Sequence, residues 1–265
     1  MNIAALQLST LPLSNSKLKH YLSICQEKKV RIVLLGEYIL NSFFKELETM
    51  PLVMIKEQSN YRIEVLKEFA QIYDLTIVAP VVTIKGEKVY KSILKISATS
   101  TKQYKQQFLM NYTHWNEEKF FHNNTTGEIE PFIFVQDGMK FGIMSGYEMH
   151  FDIMWREMMK RGVSVVLIPS VSTFGSNYRW NEILKTRAFL NGMYILRANR
   201  VGRYHDDEGL WNFYGESCLV NPSGYIESSL GSKEDLLVHK IDKKEIRDAK
   251  KAWGFKSQLS KRNLL

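Results

Sequence analysis

Four stretches of the chain place polar side chains at the carboxyl ends of runs that read as buried strands, where open α/β sheets put their ligands. They are Glu37 in VLLGEY, residues 145–148 in FGIMSGYEMHF, the segment PSVSTFGSNYRW that begins at Pro169, and residues 104–121, YKQQFLMNYTHWNEEKFF. In the second, four residues suited to a core strand are followed by two of the smallest, Ser145 and Gly146, and then by Tyr147, Glu148 and His150. A hydroxyl at Ser145 becomes a nucleophile only beside a base. No His adjoins it in sequence, and strand alternation turns it away from the side that position 146 faces.

The elements that position these residues alternate between β-type and helical patterns over almost the whole length, which predicts a layered α/β fold. Strands are expected at residues 3–8, 31–36, 75–84, 92–97, 132–135, 140–145, 163–169 and 193–199, with two more at CLVN and LLVHKI. A helix over residues 177–191 has Ser176 as its N-cap and Gly192 just past its end, with Trp180, Ile183, Leu184 and Ala188 along one side. Arg187 shares that side and needs a carboxylate or carbonyl partner if it is buried. Asp242 and Glu245 form a D-x-x-E capping arrangement for a final helix that presents Ile246, Ala249 and Trp253 together. No Pro/Gly/Ser-rich linker divides the chain, so residues 1–265 are expected to form one domain with a basic C-terminal helix and tail from about residue 242. KKVRIVLLGE and RGVSVVLIPS, each after a helical stretch, are a faint internal echo suited to two similar βα layers.

Composition narrows the class. Hydrophobic residues make up 45% and charged residues 24% of the 265, the balance of a globular protein with a substantial core. The net charge of +8 raises nucleic acid or anionic lipid as partners, but the excess is diffuse outside residues 243–262, a run that reads as a solvated helix face. Nucleic acid is therefore disfavoured. Two cysteines provide no disulfide framework, zinc spacing or CxxC pair, and no apolar run nears the ~20 residues that span a bilayer. Cys25 lies at helical spacing with Leu18 and Leu22, and Cys218 lies in a strand-like run, so both read as packing residues. A cytoplasmic protein is expected, with no membrane partner, no metal and no cofactor.

The order AALQL, VLLGEY, YKQQFL…NEEKFF, FGIMSGYEMHF, VLIPS, RAFLN…ANRVG and YGES…NPSG resembles the nitrilase, or carbon–nitrogen hydrolase, superfamily from residue 2 to about residue 253. That resemblance implies a four-layer α-β-β-α sandwich and a Glu-Lys-Cys triad that hydrolyses nitriles or amides, often with a second Glu that orients the Lys. An amide carbon is a poor electrophile. A thiolate therefore forms a covalent intermediate, a carboxylate moves the proton, and an ammonium with a backbone N–H stabilises the oxyanion.

Carried over residue by residue, the resemblance gives Glu37 the role of general base and Glu117 that of the second carboxylate, with Glu118 as the competing register. The family's Lys position falls on Gln106, while Lys105 lies one place early. One step along a strand reverses the face, so Lys105 substitutes only where the backbone shifts. The nucleophile position falls on Gly146, which has no side chain to attack with. His150 stands where Arg is more usual, and Leu190 replaces the Glu of R-A-x-E-N.

Removing a covalent nucleophile costs roughly 10⁶ in turnover, about 8 kcal/mol of barrier. The expectation is a catalytically impaired protein that binds a small amide, amine or carboxylate. Its pocket would be ringed by Glu37, Lys105 or Gln106, Glu117, Ser145, Tyr147, Glu148, Ser170 and Phe174, and enlarged by the missing side chain at Gly146. Two alternatives stand beside it: an amidase using Glu37-activated water or Ser145, and a dimeric interaction or scaffold protein. The resemblance also implies a homodimer.

Overall fold

The computed structural model describes residues 1–207 and 209–265. Its first sheet contains β1 (Asn2–Gln7), β2 (Val30–Leu35), β3 (Thr76–Lys85), β4 (Lys88–Ser97), β5 (Ser100–Lys105) and, from late in the chain, β16 (Asp235–Lys240). A short hairpin of β6 (Asn111–Tyr112) and β7 (Trp115–Asn116) precedes the second sheet. That sheet contains β8 (Phe132–Gln136), β9 (Met139–Ile143), β10 (Val165–Ser170), β11 (Tyr194–Asn199), β14 (Cys218–Val220) and β15 (Ile226–Ser229). Between β11 and β14 runs a second hairpin, β12 (Val201–Asp206) with β13 (Gly209–Tyr214).

The sheets run β16-β1-β2-β3-β4-β5 and β8-β9-β10-β11-β14-β15. In each, three parallel strands are flanked by one antiparallel strand on one side and two on the other. In the first sheet α1 (Ser16–Glu27) joins β1 to β2 and α3 (Leu52–Ile72) joins β2 to β3, with α2 (Phe44–Leu47) a single turn before α3. In the second, α4 (Asp152–Lys160) joins β9 to β10 and α5 (Asn177–Asn191) joins β10 to β11. The echo between KKVRIVLLGE and RGVSVVLIPS therefore has a topological counterpart: β2 and β10 hold the same place in the two halves.

Both faces of the central strands are apolar because both are covered. On β1 and β2, Ile3, Ala5, Ile32 and Leu34 point between the sheets, where they meet Val165, Leu167 and Leu196. Their neighbours Ala4, Leu6, Val33 and Leu35 point outward onto Leu18 and Leu22 of α1 and Leu66 and Phe69 of α3. On the far side Val166, Ile168 and Ile195 pack under Trp155 and Met158 of α4 and Leu184 of α5. The result is the four-layer α-β-β-α sandwich that the sequence resemblance implied.

Most expected elements lie where the hydrophobic pattern put them, and α5 spans the anticipated residues. Arg187 does find its carboxylate, Asp152. The capping arrangement ahead of α6 (Lys243–Trp253) forms only in part: Asp242 accepts from the Lys244 N–H at 2.7 Å, while Glu245 accepts instead from the Tyr194 hydroxyl. The strand expected over residues 92–97 begins earlier, at Lys88, and that difference bears on the site. The chain continues into α7 (Phe255–Lys261). Among the described residues no helix is long and apolar enough to cross a membrane.

Candidate active site

The ends of β2 and β10 meet across the sandwich. The Glu37 N–H donates to the Ser170 carbonyl at 3.1 Å. Gly36 lets the end of β11 approach as well, since a Cβ there would lie 3.0 Å from the backbone carbonyl carbon of Asn199. Tyr38 follows with a left-handed φ of 56°, a conformation costly for a large side chain and typical of over-determined functional turns. The turn sends Glu37 and Tyr38 inward together, 2% and 4% exposed.

Glu37 meets a lysine there, and it is Lys91. The Lys91 Nζ, on a side chain projecting from β4, lies 2.6 Å from Glu37 Oε2 and 2.6 Å from Glu117 Oε1. Glu117 is fully buried, and its Oε1 also accepts from the Tyr38 hydroxyl at 2.8 Å. The Gly146 N–H points at Glu37 Oε1 from 3.3 Å. One ammonium thus sits between two carboxylates. Burial pushes the Glu37 carboxyl above the usual carboxylate range and the Glu117 charge adds to the rise, while Lys91 opposes it. For Lys91 burial alone would favour the neutral amine, but Glu117 and Glu37 together outweigh it and hold the ammonium more firmly than usual.

Lys105 lies elsewhere. Its exposed ammonium sits 3.4 Å above the Tyr90 ring, so the local backbone shift that would bring it inward does not occur. Gln106 is buried, but its side chain donates to the Phe108 carbonyl at 2.6 Å and not to the carboxylates. The two strands explain the exchange. Ser92 pairs with Lys105, and the Gln106 N–H donates to the Lys91 carbonyl at 3.1 Å, so Lys91 is the cross-strand neighbour of the expected position. Asn123 fastens this corner by accepting from the Lys91 N–H at 2.9 Å and donating to the Lys91 and Gln106 carbonyls at 2.8 and 2.7 Å. A signal for Lys91 was present in KVYKSI: it falls in phase with Val89 and Ile93, and a lysine on an apolar strand face must be paired.

The other predicted residues divide into two groups. Glu148 is buried and holds the loop, accepting from the Tyr104 hydroxyl at 2.6 Å, the Gln107 N–H at 2.7 Å and the Ser145 N–H at 2.7 Å. Burial raises its carboxyl, and those three bonds oppose the rise. Ser145 is buried, and its hydroxyl has no hydrogen-bond partner among the described residues. Tyr147 and Phe174 belong to a cluster of aromatic rings: Tyr147 packs on Tyr112 and Phe151, and Phe174 on Trp211 and His114. His150 sits edge-on to Trp180, its imidazole less basic than usual through burial.

At position 146 the expectation of a widened pocket is overturned. A Cβ on Gly146 would lie 2.7 Å from the Ser170 Cβ and 3.1 Å from Cη2 of Trp180. Behind them the fully buried Arg197 stacks 4.7 Å over Trp180 and donates to the Ser170 Oγ at 2.9 Å. The space a side chain at 146 would need is already filled. The cavity beside the array, lined by Glu37, Tyr38, Asn41 and Lys91 among others, measures about 10 Å³, room for one water at most.

The arrangement holds a proton-accepting carboxylate, a firmly charged ammonium and a backbone N–H within one buried cluster. Such groups can move a proton and stabilise an oxyanion. A nucleophilic side chain is not among them.

Comparison with known proteins gives the family and the fold. The family model for carbon–nitrogen hydrolases matches residues 2–251. The hydrolase in the agr operon of Staphylococcus lugdunensis is 25% identical over 235 residues, covering 86% of this chain and 94% of that protein. N-carbamoylputrescine amidase of Solanum tuberosum is 24% identical over 151 residues, 52% of this chain and 49% of the enzyme. Among solved structures, a carbon–nitrogen hydrolase from Helicobacter pylori G27 superposes with a TM-score of 0.81 at 20% identity, covering 96% of this chain and 94% of that one. With its sandwich fold and a family model that matches residues 2–251, the chain belongs to the carbon–nitrogen hydrolase family.

Proposed function

We propose that this family member does not carry out thiol-dependent hydrolysis and retains the Glu37–Lys91–Glu117 cluster as a non-hydrolytic polar site. The observation that carries this reading is position 146. It offers no side chain, and a Cβ added there would lie 2.7 Å from the Ser170 Cβ. Neither cysteine offers a substitute: both are buried, in α1 and β14, and burial pushes Cys25 up to about 12 and Cys218 up to about 11. At neutral pH neither is a thiolate.

The ligand suited to the cluster is a small amide or amine whose N–H groups reach Glu37, or a carboxylate that reaches Lys91. With about 10 Å³ beside the cluster, a ligand larger than water requires the lining residues to move. The test is to incubate the parent protein with a broad set of small amides, measuring ammonia release and intact mass. The reading expects no ammonia and no acyl adduct, with saturable binding of at least one amide or amine by calorimetry. An adduct on any side chain overturns it.

One observation favours a second reading. The small cavity adjoins Glu37, a carboxyl whose proton affinity burial has raised, which suits slow hydrolysis by an activated water. Ammonia release from the parent that disappears in Glu37→Gln would establish that reading in place of the first.

A further inference from the structure

A second concavity shares no lining residue with the Glu37 cluster. It measures about 800 Å³ and lies where the end of α5 and the turn after α4 meet the C-terminal helices α6 and α7. That volume is within the roughly 300–1,000 Å³ range of small-molecule sites. Its floor is aromatic: the Phe189 ring stands edge-on to Trp253 at 4.9 Å and to Phe255 at 5.6 Å, and Trp253 stacks on Phe255 at 6.1 Å. The buried Met159 and Met193 extend this apolar surface inward. Trp253 shares a side of α6 with the buried Ile246 and Ala249, yet it is 54% exposed. The exposure comes from the open concavity it faces.

The rim carries one sign of charge. Lys250, Lys251, Lys256 and Lys261 line it, and no Asp or Glu does so among the described residues. Lys250 and Lys256 are anchored on main-chain carbonyls, those of Val163 at 3.0 Å and Lys160 at 3.3 Å. Burial, with the nearby Lys256 charge, pushes the Lys250 ammonium down to about 8. A cation held in a partly dry place without a carboxylate lacks the compensation that buried charges ordinarily have.

From the apolar floor and the uncompensated lysines we propose that this cavity binds a free single-chain fatty carboxylate, its alkyl chain on Phe189, Trp253 and Phe255 and its carboxylate among Lys250, Lys256 and Lys261. An apolar body with one anionic end satisfies both halves of the cavity at once. The site is independent of the chemistry at Glu37 and does not depend on that reading.

The test uses the full chain and dodecanoate below its micellar concentration, followed by titration calorimetry. One-site saturation is expected, with dodecanol at least tenfold weaker. Lys256→Glu and Lys261→Glu, both exposed positions that leave the core untouched, should each weaken dodecanoate about tenfold, and Trp253→Ser should weaken dodecanoate and dodecanol alike. No saturable heat with dodecanoate overturns the proposal, as does equal affinity for the alcohol. It is equally overturned if the protein sediments with phosphatidylglycerol vesicles while ignoring free dodecanoate, which would mark a membrane-contacting surface. A dimer abolished by Trp253→Ser and indifferent to dodecanoate would assign the cavity to a second copy of the chain.

Discussion

Gly146 and Ser170 approach so closely that a Cβ on the first would stand 2.7 Å from the Cβ of the second. The Gly146 backbone is ordinary right-handed helical, φ −54° and ψ −44°, so any residue could adopt its conformation. Space is what excludes a side chain there. Gly146→Ala is therefore expected to destabilise the fold by about 1–3 kcal/mol, the usual cost of overpacking a well-filled interior. In a Ser170→Gly background the same change should cost distinctly less. Urea denaturation of the four proteins closes the cycle. If Gly146→Ala is neutral in both backgrounds, the crowding described above is wrong.

Lys91 is the charge that keeps two buried carboxylates apart. Lys91→Met removes it and leaves Glu37 and Glu117 facing each other, which should cost about 3–5 kcal/mol, the range for stripping one partner from a buried ion pair. Lys105→Met, at an exposed position, should stay within about 0.5 kcal/mol of the parent. Adding Glu37→Gln to Lys91→Met should recover part of the loss. A larger effect at Lys105 than at Lys91, read from denaturation midpoints, would refute the assignment.

The Glu37 carboxyl carries a pH signature. Its folded pKa lies above its ordinary value of 4.5, so in the window from 4.5 upward the folded state holds a proton that the unfolded chain has lost. Stability from this group is present at lower pH and declines as pH rises through that window. Thermal melts of the parent and Glu37→Gln at pH 5 and pH 8 should show the parent losing more on the alkaline side. Parallel pH dependence in the two proteins would contradict the raised carboxyl.

Both thiols should be silent in the native protein. With Cys25 pushed up to about 12 and Cys218 to about 11, each fully or nearly fully buried, thiolate and access are both lacking at pH 8. Iodoacetamide should leave the folded chain unmodified and label both cysteines in urea. Rapid native alkylation of either residue would reopen the question of a nucleophile.

The pairing of α6 with the body illustrates how far local patterns reach. Asp242 caps the helix as its spacing predicts, because an Asx side chain needs only the N–H two residues on. Spacing makes Glu245 the other half of that box, but it accepts from the Tyr194 hydroxyl on β11, a partner 51 residues away. Trp253 is in phase with Ile246 and Ala249, which are buried, yet it lies 54% exposed at the edge of a cavity.

The layered architecture, the strand-end position of Glu37 and the empty side chain at Gly146 follow from the chain alone. The continuous apolar runs of β1, β2 and β10 and the residue order around each strand end are short-range properties, and short-range properties survive in a string of letters. Two matters required the assembled sandwich. Lys91 reaches the carboxylates because β4 begins at Lys88 and sets it beside Gln106, an exchange between neighbouring strands that spacing along one strand cannot express. The space beside Gly146 is filled by Ser170, which β10 brings by pairing with β9, and by Trp180, which arrives only when α5 packs onto the second sheet, with Arg197 of β11 behind them.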